Sequence, residues 1–236
     1  MSTVIYEVSG HVATLTLNRP ESLNALNLAM IDDLRTTTAR AAFDPDIRAV
    51  VLRGAGDHFM AGGDLKWFRD QLAMSPQQRQ IRFEEMIAVA HTSILSLKGM
   101  PKPVIAAVHG AVAGFGMSLM MACDLVVAAD NAYFTLAYSN IALSPDGGAT
   151  WSLPRQVGLK QAMEIALLGD RFDATCAREL GLLNRVVPLA QLTADAEGLA
   201  QRLAAGPAAA FARTKALLNQ SLDTTLETQL HAEQRA

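Results

Sequence analysis

The stretch Pro103–Asp124, PVIAAVHGAVAGFGMSLMMACD, decides the reading of this 236-residue chain. Val104-Ile105-Ala106-Ala107-Val108 is a short continuous apolar run, with the length and composition of a strand buried on both faces. His109, Gly110 and a turn holding Gly114 and Gly116 follow, and Met117 to Cys123 reads as a buried helix closed by Asp124. A strand that breaks through a glycine turn into a helix leaves the first helical N–H groups without partners and aims them at one spot. Such a spot binds an anion, or the negative oxygen that develops on a carbonyl during reaction. Glycines here serve close packing equally well, and the stretch alone leaves both readings open.

Upstream, Phe59-Met60-Ala61-Gly62-Gly63-Asp64-Leu65-Lys66 makes a second strand-to-glycine-to-helix transition. Before it, residues 3–9 and 11–18 read as a hairpin about Gly10-His11, with period-two alternation. Leu26, Met30, Leu34 and Ala41 fall at helical spacing, which predicts a helix over Leu26 to Ala42. Ala49 to Leu52 reads as a buried strand, and residues 75–98 as a long helix with Pro76 near its start. Downstream, strands are expected at 125–129 and 132–135, then a turn-rich passage from Ser144 to Gly148. Helices are expected near 149–157, 159–168 and 173–180, a last strand at 184–187, and helices at 189–205, 208–221 and 223–235. With little sheet left to cover, these last helices are expected to pack on the body or on another subunit. The division is thus an α/β core over 1–188 and a C-terminal helical, oligomerisation region over 189–236.

Half of the residues are hydrophobic and the net charge is −3. No uninterrupted apolar run approaches about 18 residues, so no membrane-spanning helix is expected. The start, MSTVIYEVSG, lacks the basic and apolar segments of a secretory signal. Cys123 and Cys176 have no metal-binding spacing and fit a reducing cytoplasm. His11, His58, His91, His109 and His231 show no helical pairing suited to zinc, and no basic run points to nucleic acid.

Five segments in order resemble the enoyl-CoA hydratase/isomerase, or crotonase, family. They are Asn18-Arg19-Pro20 with Leu23-Asn24-Ala25-Leu26; FMAGGDLK; KPVIAAVHGAVAGFGMSLMMACDLVVAAD; LPRQVGLKQAMEIALLGDRFDA; and GLLNRVVP. The resemblance implies a spiral of β-β-α repeats, with C-terminal helices that build trimers or dimers of trimers. It implies acyl-CoA thioester substrates, with coenzyme A as part of the substrate and no further cofactor, and a place in fatty-acid metabolism. Two backbone donors that grip the thioester oxygen carry over to Gly63 and Phe115, where Phe115 replaces a smaller residue. The substrate-binding set implied is Met60 and Ala61 toward the adenine, Asp64 orienting the turn or capping the helix, Lys66 and Trp67 bordering adenine or pantetheine, and Leu65, Gly114 and Tyr138.

The two glutamates with which hydratases of the family activate water fall on Ser118 and Tyr138, neither of them a useful proton acceptor near neutrality. Instead, FTLAYSNIALSPDGGATWSLPR resembles the subgroup containing the ring isomerase of phenylacetate degradation and related enoyl-CoA isomerases. That resemblance makes Asp146 the acid/base; the sequence by itself favours it as the N-cap of the helix after Gly148, and the two roles are compatible. His91 stands where members like 4-chlorobenzoyl-CoA dehalogenase place a histidine that works with such an aspartate, so a hydratase-like or dehalogenase-like use of His91 with Asp146 is the alternative. A packed core histidine is the plainer reading of it. Two further classes compete with these: a Ser-His-Asp hydrolase through Ser118, disfavoured by the missing G-x-S-x-G turn, and a non-catalytic acyl-CoA-binding protein.

Overall fold

The computed structural model describes residues 2–236 and contains a mixed six-stranded sheet, a small second sheet and a helical outer layer. In the large sheet β1 (Val4–Ser9) pairs antiparallel with β2 (Val12–Leu17). Then β3 (Ala49–Gly54), β4 (Val104–Val108), β6 (Leu125–Ala129) and β9 (Arg185–Val187) add in parallel, in that spatial order. The small sheet pairs β5 (Ala111–Ala113) with β7 (Tyr133–Thr135), and β7 with β8 (Phe172–Asp173).

The chain climbs as a spiral. Each of β2, β3, β4 and β6 is followed by a short extended piece that pairs with its counterpart in a neighbouring turn, and then by a helix. After β2 that piece is Leu26, bridged to Gly63; after β3 it is Met60, bridged to Val112; after β4 and β6 it is β5 and β7. The helices that follow are α1 (Leu28–Phe43), α2 (Leu65–Asp70) with α3 (Pro76–Gly99), α4 (Phe115–Ala122), and α5 (Ala149–Val157) with α6 (Leu159–Leu168). α7 (Ala174–Glu179) precedes β9, and α8 (Leu192–Ala204), α9 (Ala208–Ser221) and α10 (Leu226–Arg235) close the chain.

Alternation along the strands divides the core. Val50 and Leu52, with Val104, Ala106 and Val108, face α1, α3 and α4, while Ala49, Val51, Ile105, Ala107, Val127 and Ala129 face the opposite layer. Fully buried large side chains such as Leu52 and Phe134 each contribute roughly 1.5–3 kcal/mol by leaving water. All eight residues of α4 are buried, which is why it reads as apolar all round.

Most expected elements are present, with instructive shifts. Leu26 is extended rather than helical, because it bridges Gly63 and Asn27 caps α1 by accepting the Met30 N–H at 2.9 Å. The turn after β4 contains β5, and α4 begins at Phe115, two residues before the apolar run. The C-terminal helices do not behave as one unit. Leu192, Ala196, Ala200 and Ala204 lay α8 across the second face of the large sheet, so a boundary at 188/189 falls before a helix of the core.

By contrast α9 and α10 bury no residue. α9 is held by polar ties instead. Lys215 Nζ meets Asp124 Oδ2 at 2.7 Å and donates to the Leu97 and Lys102 carbonyls at 2.9 and 3.1 Å. Asp124 Oδ2 also accepts the Val104 N–H at 2.8 Å, joining this anchor to the first residue of β4. Removing one partner of such a pair leaves the other charge uncompensated. Lys215→Met is therefore expected to lower the unfolding free energy by about 3 kcal/mol, measured by urea titration.

Candidate active site

The site begins with two glycine turns on adjacent levels of the spiral. Met60 donates its N–H to Ala111 O at 3.0 Å and accepts the Ala113 N–H at 2.9 Å, which clamps the end of one level to β5 of the next. Gly62 and Gly114 are thereby brought against each other: a methyl group built on Gly114 would lie 3.5 Å from Gly62 Cα. Gly114 adopts φ 51° and ψ −121°, a conformation that side-chain-bearing residues scarcely reach.

An amide without a backbone partner follows each turn. Gly62 O and Asp64 N–H are taken by Leu26, at 2.7 and 3.0 Å. In a parallel pairing the intervening residue turns its own N–H to the other side, and that residue is Gly63. Phe115 opens α4, so its N–H has no carbonyl one turn back to donate to. Gly63 and Phe115 both line one cavity of about 850 Å³. Two free amides from stacked turns, opening on an apolar cavity, have the arrangement that accepts a developing oxyanion.

Asp64 caps α2, accepting the Lys66 and Trp67 N–H groups at 3.1 and 3.3 Å, and pairs with Arg19 at 3.0 Å. Burial pushes its carboxyl upward most strongly, but the Arg19 hydrogen bond and charge and the two amides together hold it below the usual carboxylate range. Asp64 fixes the turn behind Gly63.

Asp146 lies in the cavity wall, and three elements hold its segment. The Tyr138 hydroxyl donates to Asp146 Oδ1. The Ser118 hydroxyl, on α4, donates to Asp146 O at 2.8 Å, and the Gly147 N–H donates to His91 Nε2, on α3, at 3.2 Å. Gly147 has φ 60°, and a Cβ there would stand 2.6 Å from Ser118 Cβ and 2.9 Å from Phe115 Cε2, so only glycine fits. The bulk of Phe115 is thus taken up beneath Gly147. α5 is capped at Gly148 with no side-chain acceptor, so the Asp146 carboxylate is not its N-cap.

Burial pushes the Asp146 carboxyl above the ordinary carboxylate range, against the lowering effects of the Tyr138 hydrogen bond and of His91. Burial and the Asp146 charge push the Tyr138 phenol far above its usual range, so it stays a donor.

Among the other residues expected at the site, Ala61, Leu65, Gly114 and Tyr138 line the cavity. Met60 does not: it is fully buried, with both backbone groups engaged by β5. Lys66 is exposed outside the wall, and Trp67 packs edge-on against Phe68, with ring centroids 5.8 Å apart. His91 reaches the site only through Gly147. The sequence reading missed Leu72, Arg79, Phe83 and Met86, which also line the cavity. For Arg79, Phe83 and Met86 the signal was present in the α3 periodicity, since positions 79, 83, 86 and 87 share one face; Leu72 lies before α3 and carried none. No group of three or more His, Cys, Asp or Glu able to hold a metal occurs among the described residues, and no helix there is long and apolar enough to cross a membrane.

A spiral whose stacked turns present two open amides to an apolar cavity is the architecture of a crotonase-fold enzyme, and comparison with known proteins agrees. A family model described as enoyl-CoA hydratase/isomerase matches residues 7–236. The 1,2-epoxyphenylacetyl-CoA isomerase of Escherichia coli is 38% identical over 240 residues, spanning 99% of this chain and 88% of that relative. A crystal structure of an enoyl-CoA hydratase from Polaromonas sp. JS666 is similar with TM-score 0.92 and 38% identity, covering 98% of this chain and 89% of the other. One from Mycobacterium smegmatis gives TM-score 0.91 and 35% identity, covering 99% and 88%. The chain belongs to the enoyl-CoA hydratase/isomerase family.

The Tyr138–Asp146 bond can be tested by titration. A hydrogen bond to the carboxylate lowers its pKa, so Tyr138→Phe should titrate Asp146 at higher pH than the wild type. The wild-type carboxyl should itself titrate above the ordinary value of about 3.9. Carbon-detected NMR of the Asp146 carboxyl reads both.

Proposed function

We propose that this enzyme is an enoyl-CoA isomerase that moves a double bond through a thioester dienolate, with Asp146 as the single acid/base. The Asp146 carboxylate removes a proton from C2 of a β,γ-unsaturated thioester. The C–H electron pair passes into the conjugated system and onto the thioester oxygen, which the Gly63 and Phe115 N–H groups hold. Asp146 then returns the same proton to C4, leaving the α,β-unsaturated isomer. A pre-positioned donor of this kind is worth about 3 kcal/mol of barrier. A carboxylate with a raised pKa is a better base for carbon acids than an ordinary one. Coenzyme A enters as the carrier of the acyl group, and the chemistry calls on no other cofactor.

One observation carries this reading: among the described residues, Asp146 is the only carboxylate in the cavity wall. Ser118 and Tyr138, in the positions of the family's water-activating glutamates, both have their hydroxyls engaged by Asp146 itself. The isomerase name of the Escherichia coli relative supports the same side. A hydratase-like or dehalogenase-like use of His91 draws on the hydratase names among the solved structures. It is opposed by His91 Nε2, which already accepts the Gly147 N–H and so has no free lone pair for water. The same reading assigns the exposed Leu218, Leu222, Leu226 and Leu230 of α9 and α10 to contacts in a trimer or dimer of trimers, in a cytoplasmic setting.

A spectroscopic assay with a 3-enoyl-CoA tests the proposal. The wild type should form the conjugated 2-enoyl thioester, and Asp146→Asn should lose roughly a hundredfold or more in kcat while still binding a saturated acyl-CoA. Water addition without isomerisation, or full activity in Asp146→Asn, would falsify it. Because the deprotonated carboxylate is the base, kcat/KM should fall as pH drops through the raised Asp146 pKa. Its acid limb should therefore lie above that of an ordinary carboxylate.

A further inference from the structure

The cavity wall holds three charged residues, Asp146, Arg69 and Arg79. Arg69 is exposed and lies 3.5 Å from Asp70, and Arg82, outside the wall, has Glu85 at 3.9 Å. Arg79 is half-buried, and among the described residues it has neither an ion pair nor a side-chain hydrogen-bond acceptor. A guanidinium partly withdrawn from water beside apolar side chains is poorly compensated until an anion meets it, and a carboxylate meets it with paired, charge-assisted hydrogen bonds.

Its place in the fold says which anion. Arg79, Phe83 and Ile87 form an i, i+4 row on the cavity face of α3, and the next residue of that row, His91, accepts the Gly147 N–H beside Asp146. Twelve residues of helix at about 1.5 Å each set Arg79 roughly 18 Å along the axis from His91. Between them α3 contributes Gln80 beside Arg79 and then Phe83, Met86 and Ile87, and Phe68 and Leu72 line the same cavity. The run from Phe83 to Ile87, with Phe68 and Leu72, is apolar and suits an alkyl chain better than the amides of pantetheine.

We infer that the acyl group taken by this site ends in a carboxylate, which Arg79 binds at the far end of the apolar wall from Asp146. The inference rests on the proposed reading that Gly63, Phe115 and Asp146 surround the thioester. It makes the preferred substrate class the ω-carboxy acyl-CoA thioesters rather than simple fatty acyl-CoA thioesters. Arg79 is on this account a specificity residue and takes no part in proton transfer.

Saturated thioesters test it without any chemistry. Calorimetric titration of the wild type with adipoyl-CoA against hexanoyl-CoA, and sebacoyl-CoA against decanoyl-CoA, should show at least one diacid bound roughly ten- to a hundredfold tighter, as a charge-assisted pair allows. Arg79→Gln should abolish that preference, and Arg79→Lys should keep part of it, which separates lost charge from lost folding. No preference in the wild type, or a preference that survives Arg79→Gln, overturns the inference. So does equal weakening of every CoA thioester by Arg79→Gln with no effect on N-acetylcysteamine thioesters, which would assign Arg79 to the phosphates of the carrier. The isomerase assay on the same preparations reports separately on Asp146, so either reading can fail while the other stands.

Discussion

The two hydrogen bonds between Met60 and β5 are the constraint on which the site depends. They are single backbone contacts between successive levels of the spiral, and neither involves a side chain of any special chemistry. With the neighbouring Phe59 N–H to His109 O bond at 2.8 Å, they set Gly62 against Gly114 and so fix the spacing of the Gly63 and Phe115 amides. An oxyanion site works because its donors need not reorganise when charge appears. Here that rigidity is inherited from sheet pairing and from a helix, α4, buried on every side.

The Asp146 segment follows the opposite principle. It belongs to neither sheet nor helix, and it is held by side chains from three separate parts of the chain. Desolvation drives the carboxyl toward its neutral form, while the Tyr138 hydroxyl favours the ionised one. The first influence is the larger, so the group keeps the basicity of a buried acid together with a defined orientation. A buried donor as reluctant to ionise as Tyr138 is well suited to that task, because it cannot surrender its own proton near neutrality.

Much of the fold was legible because long apolar runs and helical periodicity mark their elements unambiguously. β3, β4, α1 and α3 were of this kind, and the five family segments supplied their order. What escaped was short or tertiary. β5 has three residues and the Met60–Val112 bridge one pair, too few for any period to show. The resemblance placed Met60 toward the adenine, yet sheet pairing occupies its backbone. The small residues of α8 gave no hint that they cover the second sheet face; Ala196, Ala200 and Ala204 do so because the helix approaches closely. Gly63, Phe115 and Asp146 could be named from resemblance. The ring of Phe115 under Gly147, and the link from His91 to that glycine, exist only in three dimensions.

The grip of Ser118 and Tyr138 on one loop also bears on how this site could change its chemistry over evolutionary time. Installing a glutamate at position 118 would do more than add a carboxylate. It would remove the hydroxyl that holds the Asp146 carbonyl and crowd the space that already forbids a side chain on Gly147. A glutamate at position 138 would set a second negative charge beside Asp146 in place of its donor. Each replacement disturbs the setting of the Asp146 carboxylate before a second carboxylate is in place, so the substitutions are expected to be strongly non-additive. On the proposed isomerase reading, the route to a two-glutamate site therefore crosses a fitness valley built by a single loop, although the turns at Gly63 and Phe115 would serve both activities unchanged.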